Sequence, residues 1–66
     1  MLVSLRTHQE LHKAHYKDHI GKHAEALLHM NSAVVFAMQE MPERVPTLRV
    51  QIDRYRNYYF PRRDNA

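Results

Sequence analysis

Two prolines, Pro42 and Pro46, divide this 66-residue chain into two stretches that each carry a helical pattern of apolar residues. Proline lacks a backbone N–H and disfavours helix in the residue before it, so one helix does not run through this pair. Pro46 suits the first turn of a new helix, where the amide needs no helical partner. The pair therefore predicts an all-α chain with a helix on each side of a short connection.

The stretch before the prolines predicts one long helix at about residues 7–41. Thr7 and Glu10 have the spacing of a capping box, in which each side chain accepts an amide hydrogen bond at the start of a helix. From Tyr16 onward, mostly apolar residues recur every three or four positions, which is the spacing of one helix face. This predicted seam consists of Tyr16, Ile20, His23, Leu27, Met30, Val34, Ala37 and Met41.

The stretch after the prolines predicts a shorter helix at about residues 46–60, followed by a flexible basic tail. Because length is proportional to residue number, the short helix covers only part of the long one. A chain of this size buries only about 60% of the surface that its unfolded form exposes, so a monomer is marginally stable, and it has no cysteine for a disulfide. We therefore expect residues 1–66 to form one helical hairpin domain that pairs with a second copy in a homodimeric helical bundle.

Gly21, the only glycine, leaves a second architecture open. Glycine is favoured just past the end of a helix, and inside a helix it costs about 1 kcal/mol relative to alanine. A break there gives three helices, at residues 7–20, 23–41 and 46–59. The continuous helix is the preferred interpretation because the apolar seam passes through Gly21 without a change of register.

Histidines recur along the N-terminal half at spacings of three and four residues, so a continuous helix would carry them on one face. Imidazoles four residues apart chelate divalent ions such as Zn²⁺ or Ni²⁺, although a site of useful affinity needs three or four ligands. The alternatives are that they are ordinary polar residues of the seam and surface, or that their protonation weakens self-association as the pH falls. The candidate metal ligands are His8, His12, His15, His19 and His23.

The C-terminal third alternates arginine with aromatic residues, in a chain whose net charge is +3. Arginine and tyrosine are enriched at the energetic centres of protein interfaces, and they also bind phosphates and stack on unpaired bases. The candidate partner-binding residues are Arg54, Arg56, Tyr58, Phe60, Arg62 and Arg63. The same residues therefore suit a protein or a nucleic acid, and we favour a protein.

The sequence carries no recognisable catalytic motif. The His8 to His12 segment differs from the zinc-protease helix because its acid, Glu10, stands one position too late. No apolar run approaches the length of a membrane span, and the first residues lack the pattern of a signal peptide. We therefore expect a non-enzymatic, cytoplasmic regulator or adaptor that binds a protein partner through a helical surface. A DNA- or RNA-binding helical dimer is one alternative, and a metal-responsive protein is another.

Overall fold

The computed structural model describes residues 5–62, and three α-helices account for most of them. The helices are α1 (Arg6–His19), α2 (His23–Glu40) and α3 (Val45–Tyr59), with a 3₁₀ turn at Pro42–Arg44. The all-α class is confirmed, and this part of the chain contains no β-strand. Among these helices, none combines the length and the apolar character needed to cross a membrane. Of the predicted tail, residues 62–66, all but Arg62 lie outside the described residues.

The continuous helix predicted over residues 7–41 is wrong, because the chain breaks at Gly21. This glycine has φ +81°, a left-handed conformation that other residues rarely adopt. Its N–H donates to the Asp18 carbonyl at 3.1 Å, and the Lys22 N–H donates to the Lys17 carbonyl at 2.8 Å. These two hydrogen bonds form the Schellman motif that ends α1. The three-helix alternative is therefore the observed architecture.

The start of α1 also differs from the prediction, because Glu10 does not cap it together with Thr7. Thr7 lies inside the helix and is fully buried. Its N–H and its hydroxyl donate to Glu40 Oε1 at 2.8 and 2.7 Å, and the Arg6 N–H donates to Oε2 at 3.1 Å. A carboxylate from the end of α2 thus satisfies amides at the start of α1. This contact favours antiparallel packing of the two helices.

The contact between α1 and α2 is formed by small side chains. Ala14 of α1 and Ala26, Ala33 and Ala37 of α2 are each at most 1% exposed. Ala26 and Ala33 are seven residues apart, as are Thr7 and Ala14, so each helix presents a heptad row of small residues. Because the distance between helix axes depends on the side chains at the contact, these small residues let the two helices pack closely.

Larger side chains hold α3 against α2. Their core consists of Val34, Ala37, Met41, Leu48 and Ile52, and Leu11, Leu27, Met30 and Val45 pack around it. Pro46 lies in the first turn of α3, as predicted, and Leu11 brings α1 into the same core. The predicted seam is thus confirmed in its C-terminal half. In its N-terminal half, Tyr16 and Ile20 are 58% and 43% exposed, because α1 packs inward through the face that carries Thr7 and Ala14.

Candidate functional site

The predicted partner-binding residues lie on α3 or directly after it. Those that the structure describes are all exposed: Arg54, Arg56, Tyr58, Phe60 and Arg62. Arg63 lies outside the described residues. Tyr58 is 78% exposed, and Arg54 stands four residues before it on the same helix face. Arg56 lies on another face and donates to Asp53 Oδ1 at 2.8 Å. The predicted set is therefore spread over more than one face of α3.

The helix α2 carries an exposed apolar row that sequence reasoning missed, formed by Leu28, Asn31, Val35 and Met38 and called here the α2 stripe. Leu28, Val35 and Met38 are 66%, 61% and 49% exposed. Residues 28 and 35 are seven apart, as are 31 and 38, so the four residues occupy a and d positions of a heptad. The spacing is visible in the sequence. The spacing does not show that these residues are exposed, because that depends on the burial of the α2 alanines in the folded chain.

An open cleft adjoins the α2 stripe on the side of α3. Its volume is about 360 Å³, and its lining residues are Asn31, Val34, Val35, Arg49, Ile52, Asp53 and Arg56. Arg56 pairs with Asp53, whereas Arg49 makes no ion pair within residues 5–62. Two arginines against one aspartate give this side of the cleft a net positive charge.

A polar and aromatic cluster joins all three helices beside Gly21. The Tyr55 hydroxyl donates to Asp18 Oδ1 at 2.9 Å. His23 Nδ1 lies 2.9 Å from that hydroxyl and 3.2 Å from Asp18 Oδ1. Because Tyr55 uses its own proton toward Asp18, its oxygen can accept a hydrogen bond from His23 Nδ1 in the tautomer that carries a proton there. The Tyr59 ring stacks on His23 with 3.8 Å between ring centroids. We call Asp18, His23, Tyr55 and Tyr59 the clasp.

The environment of the clasp keeps its phenols neutral. Burial raises the pKa of Tyr55, and the hydrogen bond to the Asp18 carboxylate raises it further. The pKa of Tyr59 is also raised, first by burial and then by the charge of Asp18. Two neutral phenols, of which Tyr55 is hydrogen-bonded to Asp18 and Tyr59 is stacked on His23, suit a clasp that holds α3 on the other two helices. No local sequence motif predicts the clasp, because Tyr55 and Asp18 are 37 residues apart in the sequence.

The histidines predicted as one ladder are divided by the break at Gly21. Four lie on the exposed face of α1: His8, His12, His15 and His19. His23 is the first residue of α2 and belongs to the clasp, so the prediction that all five share one helix face is wrong. Within residues 5–62, no three side chains of His, Cys, Asp or Glu are placed to hold one metal ion.

Carboxylates at the contact between α1 and α2 have lowered pKa values. The His29 Nδ1 lies 3.1 Å from Glu10 Oε1, and this hydrogen bond is the largest cause that lowers the pKa of Glu10. The Lys13 ammonium, 3.1 Å from Oε2, lowers it further. The Thr7 N–H is the largest cause that lowers the pKa of Glu40. These charged groups serve the helix contact and form no separate site.

No protein-family model, curated protein or solved structure matches this chain.

Proposed function

We propose that this protein is a non-enzymatic, cytoplasmic adaptor or regulator that binds a protein partner through the α2 stripe. The partner element is an amphipathic helix with acidic residues beside its apolar face. The observation that carries the proposal is the exposure of Leu28 and Val35, at 66% and 61%, on a helix whose inward face is largely alanine. Large apolar side chains in one continuous row gain free energy when a second element removes them from water.

The spacing of the α2 stripe favours a helical occupant. Residues at a and d positions form the holes into which a second helix inserts its side chains. Asn31 lies between Leu28 and Val35 in this row. A polar residue at such a position fixes register and restricts the choice of partner, at some cost in affinity. An extended partner would make no use of this periodicity.

The charge beside the stripe favours an acidic partner. Carboxylates flanking the partner's apolar face would lie against Arg49 and Arg56 on the rim of the cleft, and the attraction would speed association. A second copy of this chain is the other occupant, as the predicted homodimer requires. In a two-fold antiparallel pairing through the α2 stripe, however, the two α3 rims lie side by side, so positive charges oppose each other. We therefore favour the acidic helix.

The experiment is a fluorescence anisotropy titration with two designed helical peptides that share apolar residues and carry either glutamate or lysine flanks. We expect the glutamate peptide to bind at least about tenfold more tightly, and Val35→Glu to abolish its binding because a buried charge lacks a partner. Val50→Glu is the matched control, since Val50 is also exposed, at 48%, but lies on α3. Equal affinity for both peptides, or full binding by Val35→Glu, would refute the proposal.

The oligomeric state of the protein alone decides between the two occupants. A protein that sediments as a monomer supports the acidic-helix proposal. A dimer that Val35→Glu dissociates and Val50→Glu leaves intact would assign the α2 stripe to a second copy. That result would replace the proposed partner with the homodimer.

A nucleic-acid partner would use a different surface, the outer face of α3. Tyr58 is 78% exposed there and Arg54 lies one turn away, so a base could stack beside a phosphate contact. Titration with a single-stranded RNA oligonucleotide tests this alternative. Binding that weakens steeply with salt and disappears in Arg54→Ala with Tyr58→Ala would favour it over the protein partner.

A further inference from the structure

We propose that the exposed face of α1 binds divalent transition-metal ions through two chelating pairs of imidazoles, His8 with His12 and His15 with His19. Zn²⁺, Ni²⁺ and Cu²⁺ are the suitable ions, because neutral imidazole is among their preferred ligands. This binding surface is separate from the α2 stripe, so its test does not depend on the proposed partner.

The helix α1 keeps both pairs intact. It runs without interruption from Arg6 to His19, and the Schellman break follows the last of these histidines. Side chains four residues apart on a helix have Cβ atoms about 5–6 Å apart, which lets two imidazoles reach one ion. The first pair also borders a surface depression of about 490 Å³, lined by His8, Gln9, His12 and Lys13.

The four imidazoles make no contact that stabilises the fold through a hydrogen bond or ion pair within residues 5–62. All four are exposed, and none makes a hydrogen bond or ion pair with another described residue. The other two histidines contrast with them, since His23 and His29 each contact a carboxylate across a helix contact. A metal ion can therefore recruit the four ring nitrogens without breaking a contact of the fold.

The cations nearest to the histidine face are already neutralised. Lys13 Nζ lies 3.1 Å from Glu10 Oε2, and Lys17 Nζ lies 3.1 Å from Glu25 Oε1. Each ammonium is thus paired with a carboxylate, although Lys13 also lines the depression beside His8 and His12. Repulsion between an arriving dication and these ammonium groups is reduced accordingly.

Each pair supplies two ligands, and no third described side chain converges on the same ion. Water fills the remaining coordination positions. An open site of this kind binds more weakly and exchanges faster than a closed site with four protein ligands. The order of affinity is Cu²⁺ above Ni²⁺ and Zn²⁺, as ligand chemistry dictates.

The test exchanges two neighbouring residues of α1. In the double variant His12→Lys with Lys13→His, composition and charge are unchanged, but the first pair is now five residues apart. Native mass spectrometry and calorimetry with NiCl₂ should count two ions on the natural chain and one on this variant. His29→Gln, a control at the contact between α1 and α2, should retain both ions, and circular dichroism confirms that each variant is helical.

Adding Ni²⁺ should also raise the melting temperature of the natural chain more than that of the exchanged variant, because the metal binds the folded helix. Equal stoichiometry and affinity in the natural and exchanged chains would overturn the proposal, since helical spacing would then be irrelevant. Loss of an ion in His29→Gln, or no binding by the natural chain, would overturn it as well.

Discussion

The α1–α2 and α2–α3 contacts of this protein are formed by different types of side chain. α1 meets α2 through alanines and Thr7, with Glu40 bonded across the contact. α2 meets α3 through larger residues such as Leu48 and Ile52, and the clasp closes that contact at one end. A contact formed by alanines buries little apolar surface area per residue. Several large apolar residues of α2 therefore lie in the α3 core or in the exposed α2 stripe, whereas the Phe36 ring lies against α1, its centroid 5.6 Å from the Arg6 guanidinium carbon.

The largest effect should come from removing volume at the α3 contact. Ile52→Ala deletes a side chain that is 8% exposed, and we expect it to cost about 2–4 kcal/mol of the free energy of unfolding. A domain this small has little stability in reserve, so much of its helicity should be lost. Urea unfolding followed by circular dichroism measures the change. Val50→Ala, on the exposed face of α3, should stay within about 0.5 kcal/mol.

At the α1 contact, adding volume should be the damaging change. Ala33→Leu places a large side chain where the natural residue is fully buried against α1, and overpacking of this kind costs about 1–3 kcal/mol. Ala24→Leu is the matched control, because Ala24 lies on the exposed side of the same helix. If both variants unfold at the same urea concentration, the alanine contact is loose and the comparison between the two contacts fails.

The local signals in the sequence predicted the local parts of this fold. The prolines placed the connection and the start of α3 correctly, because their effect on the backbone does not depend on distant residues. Gly21 also indicates the end of a helix, but the apolar residues keep their register through it and indicate a continuous helix. The Schellman hydrogen bonds and the packing of α1 back onto α2 decide that position in the folded chain.

Contacts between distant residues could not be predicted from spacing. Thr7 and Glu10 fit a capping box, yet Thr7 bonds to Glu40, 33 residues away. The clasp likewise joins residues from three helices. The apolar seam was right where α3 covers it and wrong at Tyr16, because periodicity reports a helix face and not which face is buried.

The clasp offers a third test, of intermediate size. Tyr55→Phe removes the hydroxyl that donates to Asp18, which should cost about 1 kcal/mol. Because the pKa of Tyr55 is raised above its ordinary value of 10.0, the clasp stabilises the fold below pH 10 and loses this contribution as the pH rises further. Urea midpoints of the natural chain should therefore fall above pH 10, and those of Tyr55→Phe should fall less. If the urea midpoints of both chains fall equally with pH, the Tyr55 hydroxyl does not contribute to the pH dependence of stability.

The smallest effect should appear at the α1 contact in acid. The pKa of Glu40 is lowered from 4.5 in the folded chain, so its carboxylate stabilises the fold above that pH, and this contribution is lost as the pH falls below it. The melting temperature should decline from about pH 5 toward pH 3, and Glu40→Gln should flatten part of that decline because glutamine still accepts the Thr7 hydrogen bonds without a charge to protonate. Glu43→Gln, in the 3₁₀ turn, controls for removing a carboxylate elsewhere. If the two variants follow the same pH curve, the charge of Glu40 does not contribute to holding α1 against α2.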